Sequence, residues 1–466
     1  MTDAMHLRSL PPETYAASFL NTLQDPLLVW DISFRKHITP RCRHLLFSLL
    51  FCSEYGVDID ELRTSFNALH PYFCKKFSIE HDPKDFEEAQ KILEGGYLEI
   101  RDRRVSFVNP SLRDYLITYL ADDPDLLDDL AHTAVKASWA DELWTYVRTV
   151  RPLPPEQQRR VAKSLLQAAQ LFPTIPIWKQ DSRNPSTWHL YDLSNTDRIR
   201  LLLEWRTSSN DTPFMDLALQ LANKPAGGHF TVFRDGTGLI RLLRSLKKDF
   251  ATLEGSAALF EKLEAAVIGL LDGHLFPHEF ESFCDVVDAA QDVFETDVAP
   301  HIDDAITRQL EDVDSSISDI DSETELSDYK TALQKYAPRV GVTDLKTAFR
   351  AIDFRICLRR FFQLRSQGPF LFCHAACTAF AAQNRCQGRA RTPRQDRGGR
   401  RRISGGREAR RGRRHHHTTY GCAAVRPLQT LAEISIEKNP TIIFPDPVRD
   451  HRLGGHFDVA KDSSPK

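Results

Sequence analysis

The stretch DFEEAQKILEGGYLEIRDRRVSFVNPSLRDYL, residues 85–116, decides the fold because its hydrophobic periodicity changes from helix to strand and back. Its first part repeats apolar residues at helical spacing, at Phe86, Ala89 and Leu93. Two short runs rich in β-branched and aromatic residues, 97–101 and 105–109, then predict a hairpin. The charged turn Asp102-Arg103-Arg104 between them would form a small wing.

Two further helices precede this stretch, and one follows its hairpin. Apolar residues recur at helical spacing within 41–54 and again within 59–69. Asn109 is predicted to cap the last helix, because Pro110 suits the first helical position, where no N–H is needed. Three helices, two strands and a further helix make residues 41–120 a predicted winged helix in a mainly α-helical protein.

The third helix of this domain is acidic, which argues against DNA reading. A recognition helix presents Arg, Lys, Asn or Gln to bases and phosphates. Here Lys84 and Lys91 are outnumbered by acids, namely Asp82, Asp85, Glu87, Glu88 and Glu94. The wing differs, because Arg101, Arg103 and Arg104 form a candidate phosphate contact. Nucleic acid is therefore not the expected partner, and a nucleic-acid-binding winged helix with a basic tail stays an alternative.

Several segments together resemble the module that follows the nucleotide-binding core of bacterial STAND NTPases. They are SF at 65–66, DPKDF at 82–86, LEGG at 93–96 and VSFVNPSLRDYL at 105–116. In that family a NACHT-like ATPase is coupled to a winged helix and a helical sensor in signalling or defence. The resemblance covers about residues 13–365. It implies a regulatory or interaction role, with a protein or an upstream NTPase domain as partner.

The motif that this family needs for catalysis is missing. A phosphate-binding loop requires closely spaced glycines followed by Lys and Ser or Thr. The nearest glycine clusters, at 224–228 and 236–238, have neither the spacing nor the trailing residues. We therefore expect no enzymatic activity and no bound cofactor or metal. We also expect the chain to begin downstream of the ATPase core.

Length and composition favour a multi-domain cytoplasmic protein. The chain has 466 residues and a hydrophobic content of 41%, enough for a sizeable core. It contains neither a signal-peptide pattern nor an apolar run of about 18 residues. Nine scattered cysteines suit a reducing compartment better than a disulfide framework. A cytoplasmic location is the resulting prediction.

Residues 121–365 are predicted to form an irregular helical array, and residues 1–40, before the winged helix, a helical linker. Pro, Gly and polar clusters separate the predicted helices, which are 124–138, 140–150, 155–171, 196–206, 213–222, 253–271, 277–294, 301–313 and 342–362. No repeat of fixed period is present. Two interruptions are predicted, the Pro- and Trp-rich 172–192 and the acidic 311–328, which we interpret as a solvated loop.

Two residue groups invite sharper interpretations. His274, His278 and Glu279 have the spacing of a metal pair, but Pro277 would break the helical face that the pair needs. Four aromatic residues near predicted helix junctions fit packing anchors better than a ligand groove: Trp178, Trp188, Tyr191 and Trp205.

The end of the chain has a different composition. Residues 385–414 contain thirteen arginines against two acids, Asp396 and Glu408. We expect the segment 366–427 to be disordered, and we interpret residues 368–427 as an out-of-frame translation. Cys373, Cys377, Cys386 and the three histidines at 415–417 would then be accidental, and we expect no zinc site there.

A short segment at the very end, LQTLAEI at 428–434 with EKNPTIIFP at 437–445, is similar to the end of stomatin-like membrane scaffold proteins of the SPFH class. Residues 428–466 are therefore a stomatin-like tail. A stomatin-like scaffold fragment is a second alternative function, although the membrane hairpin and β-rich core of that family are missing from the sequence. A membrane is not the expected partner.

Overall fold

The computed structural model describes residues 30–180, 187–318, 320 and 322–366, with side chains described as far as residue 360. This part of the chain is mainly helical and contains two small antiparallel sheets. The predicted fold class, a winged helix followed by an irregular helical array, is confirmed there. Most of the predicted N-terminal linker, the arginine-rich segment and the stomatin-like tail lie outside the described residues.

The winged helix begins with three helices, and a short strand lies between the first and the second of them in the chain. Its elements are α1 Pro40–Leu50, β1 Val57–Asp58, α2 Ile59–Phe77, α3 Asp85–Leu93, β2 Leu98–Arg101, β3 Arg104–Phe107 and α4 Pro110–Ala121. The sheet has the order β1-β3-β2, and β3 pairs antiparallel with both neighbours. Val105, at the centre of β3, is fully buried in the domain core.

The wing is tighter than the sequence predicted. Asp102 and Arg103 have φ angles of 48° and 69°, so the turn has two central residues in the left-handed region that suits a hairpin. Arg104 therefore belongs to β3 and not to the turn. The cap of α4 is as predicted, because the Asn109 side chain accepts from the Ser111 N–H at 2.9 Å and Pro110 is the first helical residue.

The array continues from α4, and several of its helices have other bounds than predicted. Its helices are α5 Pro124–His132, α6 Ala137–Thr145, α7 Pro155–Ser164, α8 Leu166–Leu171, α9 Asn195–Ser209, α10 Pro213–Asn223, α11 Thr237–Lys248, α12 Ser256–Asp272, α13 Pro277–Asp288, α14 Ala299–Glu311, α15 Val313–Ser316, α16 Glu323–Tyr336 and α17 Lys346–Ser366. The predicted helix 124–138 ends at His132, and the predicted helix 155–171 is divided in two. From α10 to α16, alternate helices pack together, α10 on α12, α12 on α14 and α14 on α16.

Three helices, α11, α15 and α16, were not predicted, and one predicted loop is wrong. α11 begins inside the glycine cluster at 236–238, which was considered above only as a phosphate-binding loop. The acidic stretch 311–328 is not a solvated loop, because it contains α15 and the start of α16. Its apolar residues Val313, Ile317 and Leu326 are buried. The stretch packs because its acids alternate with these apolar residues.

The second predicted interruption, 172–192, contains a small hairpin. β4 Trp178–Gln180 pairs antiparallel with β5 Trp188–Leu190, with Lys179 opposite His189. Trp178 and Trp188 are half-buried.

A buried arginine joins three helices of the array. Arg198 of α9 is fully buried, and its Nη1 donates to the carbonyls of Phe172 and Ile175, both at 2.7 Å. Its Nη2 lies 3.3 Å from Asp192 Oδ2. The Asp192 carboxylate in turn accepts from the N–H groups of Ala137 and Ser138 at the start of α6. The end of α8 and the starts of α6 and α9 are thereby held together.

The winged helix is continuous with the first helices of the array. The Trp139 indole of α6 donates to the Ser48 carbonyl of α1 at 3.0 Å, and its ring packs edge-on against Phe51. Lys136 is bonded to Glu61 of α2 at 2.8 Å. These contacts bury polar and apolar groups of both parts in one core.

Gly238 marks the closest approach of α9 and α11. A Cβ added at this position would lie 2.7 Å from the Thr196 Cβ, much nearer than real Cβ atoms approach. Only glycine permits this helix crossing without displacement of the Thr196 side chain.

Gly238→Ala is expected to lower the free energy of unfolding by about 1–3 kcal/mol, because the methyl group overpacks the α9–α11 crossing. The matched control is Gly269→Ala in α12, where no atom lies within 4 Å of an added Cβ. There, alanine is expected to raise the same free energy by about 0.5–1 kcal/mol. Urea denaturation followed by circular dichroism measures both, and equal effects would contradict the close approach.

Candidate functional site

The three arginines at the wing, predicted as phosphate contacts, bond to groups of the same domain. Arg101 Nη2 lies 2.5 Å from Glu99 Oε1, and Arg103 is paired with Asp60 and, at 3.6 Å, with Asp58. Arg104 Nη2 donates to the Gly56 carbonyl at 2.7 Å. Acids therefore neutralise Arg101 and Arg103, which weakens the attraction of this wing for phosphate.

The exposed side of α3 is acidic, as predicted. Glu87 and Glu88 are exposed and form ion pairs with Arg63 and Arg41 respectively. The hydrogen bond from Arg63 holds the pKa of Glu87 below its usual value, so this carboxylate is ionised at neutral pH. Ile92, on the same helix, has 49% of its surface exposed.

A buried polar cluster lies beneath α3, and no pattern in the sequence predicted it. His44 of α1, His70 of α2 and Asp85 of α3 form the cluster, which we call the His–Asp cluster. His44 Nδ1 and His70 Nδ1 are 2.7 Å apart, and His70 Nε2 is 3.0 Å from Asp85 Oδ2. All three residues are buried. The cluster joins one residue from each of the three helices.

The hydrogen bonds fix one arrangement of protons in the cluster. An ionised Asp85 only accepts, so His70 carries its proton on Nε2 and donates it to the carboxylate. His70 Nδ1 is then a lone pair that accepts from Nδ1–H of His44. Both imidazoles are neutral in this arrangement, and each close contact has a donor and an acceptor.

Asp85 stays ionised although it is buried. Burial alone would raise its pKa, but the Asp82 N–H, Arg41 and His70 donate to it and together lower the pKa to about 2. Arg41 Nη1 bonds to Oδ1 at 2.7 Å, whereas the Asp82 N–H bonds to Oδ2 at 2.8 Å. The carboxylate is thereby oriented on both oxygens.

The two histidines are held neutral by burial. Burial and the neighbouring His70 and Arg43 lower the pKa of His44 to about 3. The pKa of His70 is also lowered by burial, against the opposing effect of Asp85. Protonation of either ring would place a charge in the core.

Cys74 and His81 complete the surroundings of His70. Cys74 Sγ, one helical turn beyond His70 on α2, is 3.4 Å from His70 Nε2. Burial raises the pKa of the Cys74 thiol, so it is a poor nucleophile. His81 is exposed in the loop between α2 and α3, and its ring centre is 5.3 Å from that of His70.

His274, His278 and Glu279, which have the spacing of a metal pair, make packing and capping contacts around the start of α13. Pro277 is the first residue of α13, and the Phe276 ring contacts both His274 and His278. The Glu279 carboxylate accepts from the N–H groups of Phe233 and Phe276.

Trp205, one of the predicted packing anchors, is fully buried between Phe172 and Phe214, as expected. Tyr191 is half-buried, and its ring lies 4.0 Å from Lys136 Nζ.

Comparison with known proteins gives no relative for this chain: no family model, no curated protein and no solved structure matches it. Within the part of the chain that the structure describes, no helix has the length and apolar character to cross a membrane.

The His–Asp cluster makes stability depend on pH. Unfolded, His44 takes up a proton near pH 6.5, whereas in the fold it does so only near pH 3. The unfolded chain therefore binds more protons between these values, and the free energy of unfolding falls as the pH falls.

His44→Gln is expected to reduce this slope by about 1.4 kcal/mol per pH unit between about pH 4 and 6, because glutamine keeps a donor for His70 but does not titrate. His37→Gln is the control, because His37 is exposed. Urea denaturation at a series of pH values gives the slope, and an unchanged slope in the His44 variant would show that His44 is not buried as a neutral group.

Proposed function

We propose that this chain is the non-catalytic regulatory and interaction portion of a cytoplasmic STAND-type signalling or defence protein. The resemblance of residues 13–365 to the region after the ATPase core supports this, as does the missing phosphate-binding loop. In this proposal the winged helix is a packing module, and the helical array is the sensor or partner surface.

The observation that carries the proposal is the character of α3. A groove-reading helix would need exposed cations, whereas here Glu87 and Glu88 are exposed and Ile92 adds an apolar group between charged neighbours. Glu87 and Glu88 are paired with Arg63 and Arg41, so this surface favours a protein partner that offers an apolar contact to Ile92 within a polar rim. The NTPase core expected upstream is the partner that we propose.

Contacts below α3 would transmit the effect of such a partner. α3 is tied to α1 and α2 through Arg41, His70 and Asp85. α1 is tied to α6 through the bond from Trp139 to Ser48. Binding at α3 therefore acts on helices that are already joined to the array, which is what a regulatory module requires.

Ile92→Glu is expected to weaken binding to the polypeptide encoded directly upstream by about tenfold or more, because a charge replaces the apolar contact. Val150→Glu is the matched control, since Val150 is similarly exposed, at 52%, at the end of the turn after α6. Calorimetric titration measures both affinities.

ATP hydrolysis is measured in the same samples, with activity expected from the mixture and none from the chain alone. Tight binding of ATP to the chain alone, or an upstream sequence without a phosphate-binding loop, would overturn the proposal.

Sequence-specific duplex binding is not expected from a chain that ends at Ser366, which lacks the arginine-rich segment. Replacing Arg101, Arg103 and Arg104 by glutamine in that chain should change its DNA mobility little at about 0.15 M salt, because Arg101 and Arg103 are already paired with acids. Footprinting and mobility shifts test this. A footprint that disappears on substitution of Lys84 or Lys91 would favour the nucleic-acid alternative instead.

A further inference from the structure

The geometry points to a binding site for one divalent transition-metal ion of the zinc type, held by His70, His81 and Asp85. No metal site was predicted from the sequence, where these three residues did not stand out. The site goes beyond the proposed function and does not depend on it.

The three donor groups converge at one point between α2 and α3. One ligand atom from each of His70, His81 and Asp85 lies within 4.8 Å of the other two. The closest pair, His70 Nε2 and Asp85 Oδ2, is 3.0 Å apart. Ligand atoms of a tetrahedral zinc ion are about 3.3 Å apart, given bonds of about 2.0–2.1 Å. A small outward movement of Asp85 or His70, with the His81 loop closing over them, would satisfy this geometry.

The protons of the cluster can rearrange without any group becoming charged. When a metal takes the Nε2 lone pair of His70, the proton of that ring moves to Nδ1. It is then donated to Nδ1 of His44, whose own proton moves to Nε2. His44 then accepts the hydrogen bond from the second ring nitrogen of His70, and metal-bound histidines usually have such an acceptor. The 2.7 Å contact between the two rings suits either direction of donation.

The Asp85 carboxylate is already held in a fixed orientation that a metal could use. Arg41 bonds to Asp85 Oδ1 and orients the group, which leaves Oδ2 directed towards His70. Arg41 is paired with Glu88 as well. Arg41, Asp85 and Glu88 together carry one net negative charge, so the local field attracts a cation.

Access distinguishes this site from the other cluster of potential ligands nearby. His44, His70 and Cys74 also lie close together, but all three are buried. His81 is exposed, so an ion can reach the proposed site from solvent, and water can take its fourth position. Metal binding there would fix the loop from Ser78 to Lys84 to both α2 and α3.

The test uses the full chain stripped of metal with a chelator and then titrated with Zn²⁺. The three histidines at 415–417 are replaced by glutamine in every sample, because consecutive histidines bind zinc on their own. About one ion per chain is expected by elemental analysis, with a higher melting temperature in the presence of Zn²⁺.

His81→Gln is expected to weaken zinc binding by about tenfold or more and to remove most of the zinc-dependent rise in melting temperature. His37→Gln and Cys74→Ser are expected to leave both unchanged. His81 is exposed, so its substitution should not prevent folding, and the melting temperature without zinc checks this. If His81→Gln binds zinc normally, the proposal fails; loss of binding only in Cys74→Ser would assign the ion to the buried cluster instead.

Discussion

The bond network around the buried Arg198 guanidinium is the constraint on which the arrangement of the array depends. A cation removed from water is costly unless its donors are satisfied. Nη1 and Nη2 of Arg198 find acceptors only when the carbonyls that follow α8 and the carboxylate of Asp192 face it together, while its buried Nε has no acceptor among the described residues. Asp192 also caps α6 through Ala137 and Ser138. Movement of any one of these helices would leave a buried charge without a partner, so their positions are set jointly.

The winged helix follows the same principle with a different set of groups. Its three helices meet at Asp85, whose negative charge is retained in the core by donors from Arg41, His70 and the Asp82 backbone. Such a polar centre contributes little net stability compared with apolar packing, but it tolerates few alternative arrangements. In both halves, apolar burial supplies the driving force, while a buried ionic centre selects the geometry.

The parts of the fold that could be predicted from sequence depend on neighbours in the chain. The wing and the Asn109 cap are set by a few adjacent residues, and the periodicity of α3 is visible within nine positions. α11 was missed because Gly238, which serves a helix crossing with Thr196, resembles loop punctuation. α16 was missed because the acids near it obscured the apolar side formed by Leu326 and Leu333, which are buried. The His–Asp cluster was missed because its members are separated by 26 and 15 positions and meet only through tertiary packing.

The bond from Trp139 to the Ser48 carbonyl bears on where this protein could be divided. Separation at this point would replace the buried hydrogen bond by bonds to water and would expose the apolar surface around it. The Phe51 ring would lose its edge contact with Trp139 at the same cut. We therefore expect the contacts across residue 120 to make the winged helix unfold together with α5 and α6.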